Sequence, residues 1–282
     1  MIRLQLYIMV NKINFKISFS IMIVYVLGVY LLNVRANLYN DISATLSASS
    51  LFVLDEMGDY FRYLQNLFPF IVLFPYSFSH LEDKKTRMGS LLQTRMGNKY
   101  YYLSQMAACF FGGMLLFFVP LLINLVLTNI TFIETGYTYY GYYNDNGYCE
   151  TLLGTNVLIQ TVSSGMSFLK CYIFSPLLYD IMYTFFISLF AGIISIFGLA
   201  CSYYIKKNKI TLFIINYLLF LCTTILDRIT YSSNQYLNTK LLDYVSVSTI
   251  MGKSTLFFLG VCFFLFVFSI LSMRRMSQID HI

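Results

Sequence analysis

Long apolar runs, separated by shorter polar stretches, are the feature that most constrains the fold of this chain. Because the hydrocarbon core of a bilayer is about 30 Å thick, a helix needs about 20 apolar residues to cross it. Six runs of suitable length occur. We therefore predict an all-α integral membrane protein in which residues 1–282 form one transmembrane domain. The predicted spans are residues 17–34, 64–81, 103–130, 178–205, 210–226 and 254–273.

The composition leaves little of the chain for a soluble domain. Hydrophobic residues make up 58% of the sequence and charged residues only 11%, whereas about 25% of the residues in a soluble domain are charged. The net charge of +6 would favour nucleic-acid binding in a soluble protein, but here the basic residues lie at the ends of the apolar runs. Membrane orientation explains that placement, so we predict no nucleic-acid partner.

The distribution of basic residues predicts how the chain lies in the membrane. With the N-terminus inside, 13 of the 19 Lys and Arg residues fall in inner segments, whereas nine of the 13 acidic residues fall in outer segments and only three in inner ones. Lys and Arg concentrate on the cytoplasmic side of membrane proteins. We predict six spans, a plasma-membrane location and two cytoplasmic termini. The predicted outer segments are residues 35–63, 131–177 and 227–253.

The first 16 residues show the spacing of an amphipathic helix. Their apolar residues Ile2, Leu6, Met9 and Ile13 recur at i, i+4, i+7 and i+11, with basic and amide residues between them. Such a helix lies in the plane of the membrane interface, with its apolar face toward the lipid. We predict an N-terminal interfacial helix, and a short lead-in to the first span is the alternative.

No residue pattern indicates catalysis or metal binding. The only histidines are His80 and His281, and neither an HExxH nor a GxSxG pattern occurs. Residues 252–255, Gly-Lys-Ser-Thr, look like the end of a phosphate-binding loop, but such a loop needs glycine where Val247 stands. We therefore predict that the chain is not an enzyme and holds no metal or cofactor. Lys253 is expected to anchor a helix end at the lipid headgroups.

Two cysteines, Cys149 and Cys171, lie outside the apolar runs and share the outer segment 131–177. The exterior of a cell permits disulfides. Closing a loop of about 20 residues stabilises a fold by about 3 kcal/mol in the chain-entropy model. A disulfide between these two cysteines is therefore one hypothesis, and two free thiols are the alternative.

A row of small residues marks one face of the fourth predicted span. Ala191, Ser195, Gly198 and Ser202 recur at i, i+4, i+7 and i+11. Small side chains let another helix approach closely inside a membrane. This face is predicted to pack against a helix, which belongs either to the same chain or to a second subunit.

The inner segment 82–104 is the longest predicted inner connection between two spans, and it holds five basic residues. Within it, Met88, Leu91, Leu92 and Met96 recur at i, i+3, i+4 and i+8, which is one face of a helix. We predict a short amphipathic helix on the cytoplasmic side. The alternative is a solvated basic loop.

This segment resembles the permease subunits of the type-2 ATP-binding-cassette (ABC) exporters. The resemblance rests on an acidic residue after the second span, then a glycine, an apolar pair, an arginine and aromatic residues entering the third span. In this chain these are Glu82, Gly89, Leu91 with Leu92, Arg95, and the tyrosines at 100–102. The family implies that the segment is a coupling helix, for which the candidate residues are Glu82, Arg87, Met88, Gly89, Leu91, Leu92, Arg95 and Met96.

The resemblance also implies partners and a function. Permeases of this family form homo- or heterodimers, and ATP binds to separate cytoplasmic ABC ATPase subunits. We expect an exporter that moves an amphipathic substrate from surrounding membrane lipid, with peptides, lipids and drugs all open. Export of, or immunity to, an antimicrobial peptide is a hypothesis by analogy. The alternative is a non-transporting sensor or assembly scaffold that binds a partner through the outer segments.

Overall fold

Helices form all the regular structure described in the computed structural model. No β-strand occurs among the described residues, so the prediction of an all-α chain is confirmed for them. The residues that the structure describes are 2–39, 47–55, 60–86, 88–132, 175–205, 209–231, 239–247 and 255–279.

The helices of the described residues are numbered in chain order. A short 3-10 helix, Leu241–Val245, lies between the last two of them. The α-helices are α1 (Ile2–Asn11), α2 (Ile13–Asn37), α3 (Phe61–Ile71), α4 (Ser79–Thr86), α5 (Met88–Met96), α6 (Asn98–Thr131), α7 (Pro176–Tyr204), α8 (Lys209–Tyr231) and α9 (Thr255–Ile279).

Five of these helices, α2, α6, α7, α8 and α9, are long and apolar enough to cross a membrane. They coincide with five of the six predicted spans and are compatible with a multi-pass membrane protein. The longest, α6, has 34 residues. At a rise of 1.5 Å per residue it is about 50 Å long, so it extends beyond a hydrocarbon core of about 30 Å.

The remaining predicted span, residues 64–81, is not a continuous helix. Helix α3 ends at Ile71, residues 72–78 form turns, and α4 begins at Ser79. Pro69 lies inside α3 and Pro75 lies within the turns. Proline lacks the N–H that a helix needs and clashes with the preceding turn, which explains why the regular helix ends here.

The long helices form a bundle whose two ends are recognisable from polar contacts. At one end, Lys12 between α1 and α2, Glu82 in α4 and Lys209 at the start of α8 meet. We call this the basic end. The basic residues near it are Lys12, Lys84, Lys85, Arg95, Lys99, Lys209, Arg274 and Arg275.

The interrupted segment 60–86 runs from the opposite end of the bundle to the basic end. Near its start, Gln65 donates from Nε2 to Oδ1 of Asp243, a residue of the 3-10 helix, at 3.1 Å. Near its finish, Glu82 reaches Lys12 and Lys209. The segment therefore traverses the bundle as two short helices joined by turns.

Phe68 in α3 is the aromatic centre of the bundle. Its side chain is fully buried. Its ring centroid lies 5.0 Å from that of Phe117 in α6, 5.5 Å from Phe190 in α7 and 6.1 Å from Phe220 in α8. Aromatic pairs at such separations are favourable beyond the area they bury. The interrupted segment therefore shares one core with three of the long helices.

Two buried tyrosines of α7 hold the described part of the connection between α8 and α9 against the bundle. Tyr179 donates its hydroxyl to the Val247 carbonyl at 3.0 Å, and Tyr183 donates to the Tyr244 carbonyl at 2.7 Å. The backbone N–H of Val247 donates to the Leu54 carbonyl at 2.8 Å. Residues 47–55 and 239–247 therefore form a layer that covers the opposite end of the bundle.

Helix α1 packs against the bundle through part of the predicted apolar stripe, with Met9 in the core and Leu6 packed against it. Gln5 and Met9 are buried, and Tyr76 donates its hydroxyl to Gln5 Oε1. Ile2 and Ile13, the first and last residues of the predicted stripe, are 42% and 70% exposed. The stripe is therefore divided, because its middle residues pack against the bundle and its ends do not. The placement of α1 along the membrane interface stays a prediction.

We expect Tyr183→Phe to destabilise the fold, because it leaves the Tyr244 carbonyl without this hydroxyl donor in a buried position. Loss of one buried hydrogen bond costs about 1 kcal/mol. The apparent melting temperature of the purified protein in detergent should therefore fall. Tyr217→Phe, in α8, removes a hydroxyl from a side chain that is 44% exposed and serves as the control. Equal melting temperatures for both variants would contradict this role of Tyr183.

Candidate functional site

The most polar part of the basic end is a hairpin of two short helices, α4 and α5, that precedes α6. Gly97 separates α5 from α6 and has φ of +76°. This left-handed conformation is readily available only to glycine, so the residue type permits the abrupt change in chain direction. The segment predicted as a coupling helix is thus helical in the described residues, divided between α4 and α5.

Glu82 in α4 connects the hairpin to two other parts of the chain. Lys12 Nζ donates to Glu82 Oε2 at 3.0 Å, and Lys209 Nζ donates to Oε1 at 2.7 Å. Asn14 Nδ2 donates to Oε1 at 3.3 Å. One carboxylate therefore holds α4 to the junction of α1 and α2 and to the first residue of α8.

The two lysines also contact aromatic rings of the interrupted segment. Lys12 Nζ lies 4.8 Å from the ring centroid of Tyr76, and Lys209 Nζ lies 5.4 Å from that of Phe78. Cations within about 6 Å of an aromatic ring are attracted to its face. These contacts fix both ammonium groups on the side of α4 where Glu82 accepts from them.

Asp83, the neighbour of Glu82, points toward α6. Tyr101 donates its hydroxyl to Asp83 Oδ2 at 2.6 Å. Gln105 Nε2 lies 3.4 Å from the same oxygen and 3.0 Å from Ser79 Oγ. The two adjacent carboxylates of α4 therefore divide their contacts, because Glu82 holds α2 and α8 while Asp83 holds α6.

The surroundings shift the pKa values of these two carboxyls in opposite directions. Burial alone would raise the pKa of Glu82, but hydrogen bonds from Lys209 and Lys12 outweigh it and lower the pKa. Burial raises the pKa of Asp83, and the hydrogen bond from Tyr101 only partly opposes that rise. Glu82 therefore keeps its negative charge to a lower pH than an ordinary glutamate does.

Helix α5 presents one leucine to the bundle and one to its surroundings. Leu92 is partly buried and packs against the cluster that contains Tyr101 and Tyr102. Leu91 is 58% exposed, and Arg95 is exposed on the same helix. The predicted stripe that put both leucines on one docking face is therefore wrong for Leu92, because the tyrosines of α6 already cover it.

Other residues of the predicted coupling segment are only partly described. Gly89 is buried, and a Cβ added to it would lie 3.5 Å from Asp83 Cβ. The backbone of Met88 and Met96 is helical, but their side chains lie outside the described part of the structure. Arg87 also lies outside the described residues.

The predicted disulfide and the predicted packing face have different outcomes. Cys149 and Cys171 lie outside the described residues, so their disulfide stays a prediction.

The small residues of α7 are buried within the chain, and Ser77 Oγ donates to the Ser195 carbonyl at 2.9 Å. The residues of this face are Ala191, Ser195, Gly198 and Ser202.

The close approach at that face involves α6 and the turns of the interrupted segment. A Cβ on Gly113 of α6 would lie 2.9 Å from the Ala191 carbonyl oxygen, and a Cβ on Gly198 would overlap Leu73 Cδ2. A side chain at Gly113 would therefore push α6 and α7 apart, and one at Gly198 would displace Leu73. Of the two alternatives for this face, the structure shows packing within the chain.

Sequence reasoning missed the partners of the hairpin. The sequence assigns Lys12 and Lys209 a role only in membrane orientation. It places Tyr101 only among the aromatic residues of the family resemblance, and it assigns no role to Asp83 or Gln105. Lys209 is 127 positions from Glu82 in the chain, so no local periodicity relates them. The available signal was a pair of acids beside a proline-interrupted apolar run.

The described residues contain no group of three or more His, Cys, Asp or Glu side chains placed to hold a metal ion. His80 is buried, and its ring packs edge-on against Tyr203 with a centroid distance of 4.7 Å.

Comparisons with known proteins give no relative: no family model, no curated protein and no solved structure matches the chain. The geometry of the chain itself must therefore support any functional proposal.

We expect Glu82→Gln to lower the stability of the protein by about 1 kcal/mol, because ion pairs with partly exposed members contribute little more than that. Since the folded-state pKa of Glu82 is lowered, its contribution is complete above the ordinary value of 4.5 and is lost as the pH falls through the lowered pKa.

Thermal unfolding at several pH values in detergent measures this effect. The comparison is made in the Asp83→Asn background, because the raised pKa of Asp83 changes stability in the opposite direction over the same range. The difference in stability between the proteins with and without the Glu82→Gln substitution should shrink in acid. A difference that is constant down to about pH 3 would contradict the ion-pair assignment.

Proposed function

We propose that this chain is the membrane-spanning permease subunit of an ATP-driven ABC exporter for an amphipathic substrate. ATP is bound by a separate cytoplasmic ATPase, and a second permease subunit completes the transporter. Support comes from the apolar helical bundle and from the helical hairpin at its basic end. The observation that carries the proposal is that this hairpin exposes Leu91 while Glu82 ties it to two other parts of the bundle.

The proposal includes six membrane crossings. The segment 60–86 supplies the second crossing in addition to the five long helices, because it runs from one end of the bundle to the other. The two described termini, Ile2 and Ile279, then belong to the same side as the hairpin. Basic residues favour the cytoplasmic side, so the basic end faces the cytoplasm of a plasma membrane and is accessible to an ATPase.

The hairpin is suited to pass movement from a bound ATPase to the membrane helices. A partner that binds the exposed side of α5 and moves it also moves Leu92, which packs against α6. The same movement displaces α4, which directly precedes α5 in the chain. Movement of α4 then displaces Lys12 and Lys209, which are bound to Glu82. A single docking surface thus acts on α2, α6 and α8 together.

A non-transporting sensor or scaffold is the alternative, and it would use the opposite face of the membrane. The discriminating feature is the hairpin: a scaffold that binds through its outer segments does not need an apolar side chain exposed at the basic end. Copurification of an ATPase with the intact chain, and its loss on changing that side chain, distinguishes the two functions.

We expect Leu91→Asp to leave the protein folded in the membrane and to weaken its association with the ATPase by about tenfold or more, as loss of one interface hot spot does. Leu92→Asp places a charge against the tyrosine cluster and should lower the melting temperature. Asn11→Asp, at an exposed residue near the basic end and outside the hairpin, is the matched control. Copurification in equal amount with the Leu91→Asp protein would refute the coupling role of α5.

Thiol labelling in intact cells tests the six crossings, in a chain whose native cysteines are replaced by serine. Tyr39 just after α2 is 93% exposed, and Tyr39→Cys should react with a membrane-impermeant maleimide from outside. Thr94→Cys in α5 should react only after the membrane is permeabilised. If both cysteines react from the same side, segment 60–86 does not cross, and the six-span topology is wrong.

A further inference from the structure

A groove opens on the side of the bundle at the basic end, between the start of α6 and the end of α9. Its volume is about 730 Å³. Polar and charged side chains line the part nearest the basic end, and apolar side chains line the deeper part. The lining includes Lys99 and Leu103 of α6, and Phe266, Ile270, Arg274 and Gln278 of α9.

The groove has the length of one leaflet of a bilayer. Along α9 it extends from Phe266 to Gln278, which is about 18 Å at a rise of 1.5 Å per residue. Half of a hydrocarbon core of about 30 Å is about 15 Å. The two helices run in opposite directions, so the charged residues of both lie at the same end of the groove. A long apolar wall therefore meets a polar opening at the depth of the headgroups.

Two basic side chains, Lys99 and Arg274, lie at the opening of the groove without an acidic partner among the described residues. Lys99 and Arg274 are exposed, and neither forms an ion pair with any residue that the structure describes. No acidic residue lines the groove among the residues described. Gln278, beside them in the lining, adds an uncharged amide donor. This opening is therefore complementary to an anion, whereas the wall below it is complementary to hydrocarbon.

We propose that this groove binds one anionic phospholipid. Its headgroup phosphate accepts hydrogen bonds from Lys99 and Arg274, and one acyl chain lies along Leu103, Phe266 and Ile270. Basic pockets between membrane helices at the cytoplasmic surface are suited to anionic headgroups. The site requires only that the bundle spans a membrane, so it does not depend on an ATPase partner. It is distinct from the α4–α5 hairpin.

Native mass spectrometry of the purified full-length chain tests the site. The protein is presented with equal amounts of phosphatidylglycerol and phosphatidylcholine that carry the same acyl chains. We expect preferential retention of one phosphatidylglycerol. The double variant Lys99→Gln, Arg274→Gln should bind it about thirtyfold more weakly. Lys84→Gln, Lys85→Gln makes the same change in net charge on exposed α4 residues outside the groove and should bind normally.

A second variant tests the apolar wall. Leu103 is 44% exposed, so Leu103→Trp has room to fill the groove without displacing the core, and it should also reduce lipid retention. Glycerol 3-phosphate should not compete, because it lacks the acyl chain. Equal retention of both lipids, equal loss in the two charge variants, or competition by glycerol 3-phosphate would overturn the proposal. So would cysteine crosslinking that places Ile270 of two chains in contact, since a second copy would then fill the groove.

Discussion

The buried turn at residues 72–78 governs how the other helices of the bundle pack. Lipid offers no hydrogen bonds to irregular backbone, so such a segment is tolerated only when protein surrounds it. Short-range bonds satisfy part of it, since Val72 N donates to the Phe68 carbonyl and Leu73 N to the Phe70 carbonyl, each at 3.2 Å. The remaining helices then close around the turn, and Asn216 of α8 donates to the Pro69 carbonyl.

Close enclosure of this turn explains the small residues of the neighbouring helices. Gly198 of α7 leaves space for Leu73, and Gly112 of α6 leaves space for Met9 of α1 beside Pro75. Larger side chains would push α6 and α7 away and admit lipid to the irregular backbone. The small residues therefore stabilise the bundle by allowing contact, and dispersion over many such close atom pairs adds up to a large energy.

The polar contacts at the basic end fix the positions of the helices there, but they contribute little to the free energy of folding. Ion pairs with partly exposed members contribute at most about 1 kcal/mol each, so Glu82 adds little to the free energy of folding. Its contacts nevertheless fix the position of α4 relative to Lys12 and Lys209. Basic residues and apolar spacing predicted a short amphipathic helix in this region, and α5 is helical there. The prediction misjudged Leu92, because periodicity within one helix carries no information about the tyrosines of α6 that cover that side chain.

The amino-acid sequence was sufficient to predict the all-α class and the positions of the five long apolar helices, because length and hydropathy are local properties that correspond directly to the membrane thickness. Local pattern also located the helices of the basic end. Pro69 and Pro75 already indicate from the sequence that the second apolar run, residues 64–81, is interrupted. Three-dimensional packing was needed to show that Glu82 pairs with Lys12 and Lys209, and that α6 and α9 leave a groove between them. These features depend on residues far apart in the chain, and only the folded bundle brings such residues together.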